Sequence, residues 1–217
     1  MSRTRRIGQI VVVAASLLTP RAVRAQAKLE FTPFLGSFYA LAKMCSDCNN
    51  DASDVRARLQ NSAAVGGRIS YWLSRTVGVE AVGMFTPARI ELSAQDTTGF
   101  ALAASAKGTV LIASARFLYR PARTNLHFIV GAGMVRRGGD TWKLAHDSVG
   151  TKTTSPAGVI GIGVRAAVTP KFTLLISAED HLYSFDPMLG PGGSESNGSK
   201  LQSDLLISIG VPIGLSR

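Results

Sequence analysis

The stretch Leu205-Leu206-Ile207-Ser208-Ile209-Gly210-Val211-Pro212-Ile213-Gly214-Leu215 decides the fold class. Ile207, Ile209, Val211, Ile213 and Leu215 share one parity, and Ser208, Gly210, Pro212 and Gly214 share the other. A strand projects successive side chains to opposite faces, so this segment writes one apolar wall and one wall of small or polar residues. The alternation returns about eight times, and it predicts strands over 28–40, 63–73, 76–86, 105–120, 125–137, 155–169, 171–185 and 202–215. A sheet of this kind closed on itself is a barrel with an apolar exterior. High glycine content and weak helical periodicity agree with an all-β chain.

The N-terminus has a different character. Arg3, Arg5 and Arg6 precede an apolar run from Ile7 to Leu18, followed by Pro20 and the small residues Val23 and Ala25. This is the layout of a secretory signal, with cleavage expected after Ala25 or Ala27. The apolar run is well short of the roughly 20 residues a spanning helix needs. Residues 1–25 are therefore expected to be removed, leaving 26–217 as one barrel domain. The formal charge of +10 falls to +5 with them, because five arginines and no acid lie in that segment. Nucleic-acid binding thereby loses its compositional argument.

Cys45 and Cys48 form a close pair, read most simply in an exported chain as a small disulfide pinning a loop. A redox-active pair belongs at a helix start in a βαβ unit, which the pattern lacks. A zinc site needs two further ligands, and His127, His146 and His181 are scattered. No metal site and no cofactor is expected.

The predicted connections alternate in length. They are short at Ser74-Arg75-Thr76, Pro121-Ala122-Arg123-Thr124 and Thr169-Pro170, and long at about 41–62, 87–104, 138–154 and 186–201. Bacterial outer-membrane barrels show this asymmetry, with turns in the periplasm and loops outside. Within the first long connection, residues 51–60 read as a short helical turn. Residues 186–199, rich in glycine, serine and proline, read as a flexible tract.

Three further stretches carry a family likeness: Phe31-Thr32-Pro33-Phe34-Leu35-Gly36, Ala113-Ser114-Ala115-Arg116-Phe117-Leu118-Tyr119-Arg120-Pro121 and Glu179-Asp180-His181-Leu182-Tyr183-Ser184-Phe185. With them the chain resembles the outer-membrane β-barrel domain family, the small eight-stranded barrels similar in architecture to OmpA and OmpX. The resemblance covers the whole mature chain. It implies an eight-stranded antiparallel up-and-down transmembrane barrel in the bacterial outer membrane. Outer-membrane lipids would surround it, the barrel assembly machinery would insert it, and an extracellular ligand would meet its loops. One departure is the C-terminus, Gly214-Leu215-Ser216-Arg217, where such barrels end on an aromatic residue.

Strand parity assigns the walls. Leu111, Ala113, Ala115, Phe117 and Tyr119 are expected outside, with Ile112, Ser114 and Arg116 inside. Gly161, Gly163 and Arg165 face inward in the sixth strand, and Ser177, Glu179 and His181 in the seventh. The lumen is thus expected to pair Arg68, Arg116 and Arg165 with Glu80, Glu179 and Glu30, with His181 in the same polar network. An eight-stranded barrel is filled by its own side chains, and a charge there must be paired. This predicts a polar, largely plugged interior; a narrow conducting path is the rival. Tyr39, Tyr71, Phe117, Tyr119 and Phe172 are candidates for interfacial belts.

Catalysis finds little support. A barrel lipid hydrolase of the lipid A deacylase kind needs a serine beside a histidine base. His181 and Glu179 share a face, but Ser184 falls on the opposite one. No catalytic residue is assigned, and the role expected is structural or surface-interacting. A lipocalin-like soluble binder would need the charges on the other wall.

Overall fold

The computed structural model describes residues 28–41, 53–96, 101–138, 143–144, 147–148, 153–169, 172–185 and 200–215. Residues 1–27, which hold the expected export signal, Cys45, Cys48, His146 and the whole glycine-rich tract 186–199 lie outside the described residues.

Eight antiparallel strands form a closed barrel. They are β1 (Lys28–Ala40), β2 in two runs (Ser53–Leu59 and Ser62–Trp72), β3 (Val77–Asp96), β4 (Ala101–Tyr119), β5 (Leu126–Gly138), β6 (Thr153–Thr169), β7 (Phe172–Phe185) and β8 in two runs (Lys200–Gly210 and Ile213–Gly214). Each strand pairs with the next, and β8 returns to β1 with Gly210 opposite Phe34 and Ile213 opposite Phe31. Pro212 interrupts β8 without shifting its register, because Val211 N still donates to Pro33 O and Leu215 N to Leu29 O. Closure removes the exposed edges an open sheet would carry. Among the described residues no helix is long and apolar enough to cross a membrane.

Two expected connections are strand instead. The β3–β4 hairpin continues without a break from Val77 opposite Tyr119 to Gln95 opposite Ala101, through the predicted 87–104 loop. Pro87 lies within this hairpin although proline cannot donate to a ladder. It is tolerated because β2 is interrupted beside it. The β2–β3 ladder runs up to Val65 opposite Phe85 and resumes at Leu59 opposite Ile90, one residue out of step. Such a bulge flips parity, so Leu59 is inward on an odd position whereas Ala64, Arg68 and Ser70 are inward on even ones. Thr86 Oγ1 bridges the interruption by donating to Ala63 O at 2.6 Å.

The helical turn expected over 51–60 is likewise strand, Ser53–Leu59, paired to Ile90–Asp96. The protruding hairpin offers a free row of backbone donors and acceptors, and pairing with it overrides local preference.

The turns at the opposite end are tight. Ser74 Oγ accepts from the backbone N–H groups of Thr76 and Val77. Arg123 closes the β4–β5 turn at φ 66°, a left-handed conformation that strains an L side chain. Arg123→Gly is therefore expected to stabilise the barrel by about 0.5 kcal/mol, after the greater chain entropy of glycine is subtracted. The thermal midpoint in detergent, followed by gel mobility, would rise if this holds.

The outer wall is apolar. Leu111, Phe117, Tyr119, Val130, Met134 and Ile160 are each 44% or more exposed. From Tyr119 to Leu111 this wall is about 20 Å high for a strand tilted about 40°, most of a bilayer's apolar band. Tyr71, Phe117, Tyr119 and Phe172 stand on it toward the short turns, and Tyr39 toward the loop end.

The interior departs from a uniformly polar filling. Its loop-end half holds Phe38, Leu59, Val110, Val135 and Leu206, each at most 1% exposed. Buried charge lies on both sides of these apolar residues, with Arg68, Glu80, Arg116 and Glu179 toward the short turns and Arg137 and Asp204 toward the loops.

Candidate functional site in the barrel lumen

Register builds the middle layer. Glu30, Ser70, Glu80 and Arg116 are successive Cα partners across β1, β2, β3 and β4, and all four point inward. From the other side of the barrel, β7 supplies Glu179 and Ser177, and β8 supplies Ser208. Small residues make the room. Gly131 lies opposite Arg116, and a Cβ there would come within 2.9 Å of the arginine Cγ. Gly161 does the same for Glu179, also at 2.9 Å from Cγ.

Glu179 is the hub. Arg68 reaches its Oε1 at 2.9 Å and Arg116 its Oε2 at 2.7 Å, with the side chains of all three at most 1% exposed. Ser177 Oγ donates to the same carboxylate at 2.9 Å. Arg68 also donates to Ser177 at 2.8 Å and Ser208 at 2.6 Å, and its guanidinium lies 4.6 Å from the centre of the Phe34 ring. Arg116 meets Glu80 at 3.6 Å, and Ser70 donates to Glu80 at 2.7 Å. Two arginines and two glutamates thus balance in a buried cluster tying β2, β3, β4 and β7 across the lumen. Such charges are tolerable inside only because each is paired.

A second pair lies toward the short turns. Arg165 forks onto Glu30 at 2.5 and 3.3 Å, and Trp72 Nε1 donates to Glu30 at 3.2 Å. The Arg120 guanidinium stacks 4.0 Å from the Trp72 ring centre. His127 is buried against Gly163, where any Cβ would overlap its ring.

A third layer, toward the loops, had not been anticipated. Arg137 Nη2 meets Asp204 Oδ2 at 2.9 Å, Tyr183 donates a short hydrogen bond to the same oxygen, and Arg137 lies 5.0 Å from the Tyr183 ring centre. The signal for it was parity. Asp204 sits four residues before Ser208 on the inward set, and Arg137 shares the parity of His127. Both lie beside the connections expected at 138–154 and 186–201, where a charge is ordinarily solvated.

Of the six residues singled out, Arg68, Glu80, Arg116 and Glu179 meet in one cluster, and Arg165 joins Glu30 instead. His181 is fully buried opposite Asp204, but no serine hydrogen-bonds either ring nitrogen. Ser184 is on the exposed face, and Ser177 is engaged with Glu179 and Ser208. Among the described residues there is no Ser–His pair and no group of three metal-ligating side chains.

Solved structures share this architecture. The chain is similar to outer membrane protein AlkL in lipid bilayers, at 17% identity and a TM-score of 0.55, covering 92% of this chain and 96% of AlkL. It is similar to outer membrane protein OprG of Pseudomonas aeruginosa, at 15% identity and a TM-score of 0.52, covering 86% of this chain and 96% of OprG. No family model and no curated protein sequence matches it. At these identities the likeness establishes the fold: a small, closed, eight-stranded barrel of the outer-membrane type.

Proposed function

We propose that this outer-membrane barrel is a closed, non-conducting protein with a structural or surface-interaction role, exposed to the outside through its longer connections. The observation carrying this reading is the Arg68–Glu179–Arg116 crossing, with all three side chains at most 1% exposed. An ion would have to displace arginines held by a shared carboxylate. The apolar cap of Phe38, Leu59, Val110, Val135 and Leu206 adds a second seal, since a narrow apolar constriction excludes water and ions.

The apolar wall and short turns favour the bacterial outer membrane, with the β3–β4 hairpin projecting on the outside. Residues 1–25 would act as the export signal and the assembly machinery would insert the barrel.

Planar-bilayer recording tests the reading. The purified protein should give no unitary current steps, and Glu179→Gln should not create a well-defined channel. Reproducible steps in the wild type, altered by that substitution, would replace this reading with a pore.

A further inference from the structure

The outer wall is uneven across β3, β4 and β5. Gly83 faces outward with nothing within 4 Å of the position a Cβ would take, and its cross-strand partner is Ala113. Below them, Ala81, Ala115 and Ala132 continue the depression in register. Larger side chains rim it, and a groove of about 590 Å³ results, lined by Val65, Phe85, Leu111 and Met134 around Gly83 and Ala113.

At its loop end the groove meets Arg136, which lines it together with Thr154. Arg136 is the cross-strand partner of Leu111, at the upper limit of the apolar wall. Four residues farther along β4 stands Lys107, paired with Arg89 on β3 and exposed on the same wall. That is about 13 Å of strand, a gap which the long side chains can narrow from both ends. Among the described residues none of these three cations has an ion-pair partner within 4.0 Å. The lumen by contrast pairs its arginines.

We propose that this groove is a binding site for a phosphorylated, multiply acylated lipid of the outer leaflet. Its acyl chains lie over Gly83 and Ala113, and its phosphate groups meet Arg136, Lys107 and Arg89. Charge complementarity and position select this occupant. A second barrel copy would bring the same three cations into the interface, and a neutral lipid would leave them without counter-charge at the edge of the bilayer. The inference rests on the membrane reading above, since only a lipid-facing wall presents the groove to acyl chains.

The test uses the full-length protein folded in detergent micelles, titrated with bis-phosphorylated lipid A, with its dephosphorylated form and with phosphatidylethanolamine. Bound lipid is read by native mass spectrometry. Each cation near an anionic lipid surface is worth about a fivefold change in affinity. The triple variant R89Q/K107Q/R136Q should therefore bind bis-phosphorylated lipid A about a hundredfold more weakly, and the dephosphorylated lipid no differently from the wild type. Gly83→Trp fills the groove and should weaken both lipid A forms several-fold. Equal binding of bis-phosphorylated lipid A by the wild type and the triple variant would overturn the site. Heat-modifiable gel migration of every variant reports the barrel itself; its loss in the wild type would instead count against the membrane reading.

Discussion

Glu179→Ala is expected to lower the unfolding free energy of the barrel by about 3–5 kcal/mol, because it strands two buried arginines at once. Arg68 and Arg116 both end on this carboxylate, and neither side chain has water to turn to. Ser177 loses its acceptor in the same change. Glu80 cannot substitute, since it lies 3.6 Å from Arg116 and already receives Ser70. Glu179→Gln keeps one carbonyl acceptor in place and should cost less. Urea unfolding in lipid vesicles, followed by tryptophan fluorescence, measures both. An alanine variant within about 0.5 kcal/mol of the wild type would show that the crossing contributes no net stability.

Asp204→Ala is the second large effect, again about 3 kcal/mol or more, since a buried carboxylate that holds Arg137 and Tyr183 is removed. This site differs from the first in what surrounds it. Tyr183 belongs to the same buried cluster as Val135 and Leu206, so the neighbourhood suits hydrocarbon. Replacing a buried ion pair by apolar side chains of similar size is often neutral or stabilising. The double variant R137M/D204L should accordingly recover to within about 1 kcal/mol of the wild type. A double variant as damaged as Asp204→Ala would mean that the pair holds the loop end of the barrel in a way that packing cannot replace.

Parity in the sequence made much of this legible. Ile207, Ile209, Ile213 and Leu215 are outward and Ser208 and Gly210 inward, as the alternation of that stretch dictates. The same rule placed Arg68, Glu80, Arg116, Arg165, Glu179 and Glu30 on the lumen side. It could not say which carboxylate each arginine would meet. Partners such as Arg68 and Glu179 lie on β2 and β7, on opposite walls, and only closure brings them within 2.9 Å.

The misread segments share a physical cause. The connection expected at 87–104 begins at Pro87, whose missing donor is a local property. That the neighbouring strand is interrupted at the same level is a non-local one. Residues 53–59 became strand because the protruding β3 edge was there to pair with, and nothing within those seven residues records that edge. Asp204 and Arg137 carried the right parity, yet near a loop a charge is ordinarily solvated, and only the closed wall shows them buried.

By itself, then, the sequence determined the strand count, the wall each side chain joins within the predicted strands and the apolar exterior, because a two-residue period is written into each of those strands separately. The tertiary structure alone decided the pairing of charges across the lumen, the apolar layer between those pairs and the groove on the outer wall. Each of these depends on the register and curvature with which distant strands meet, and a closed barrel fixes those only when its last strand finds its first.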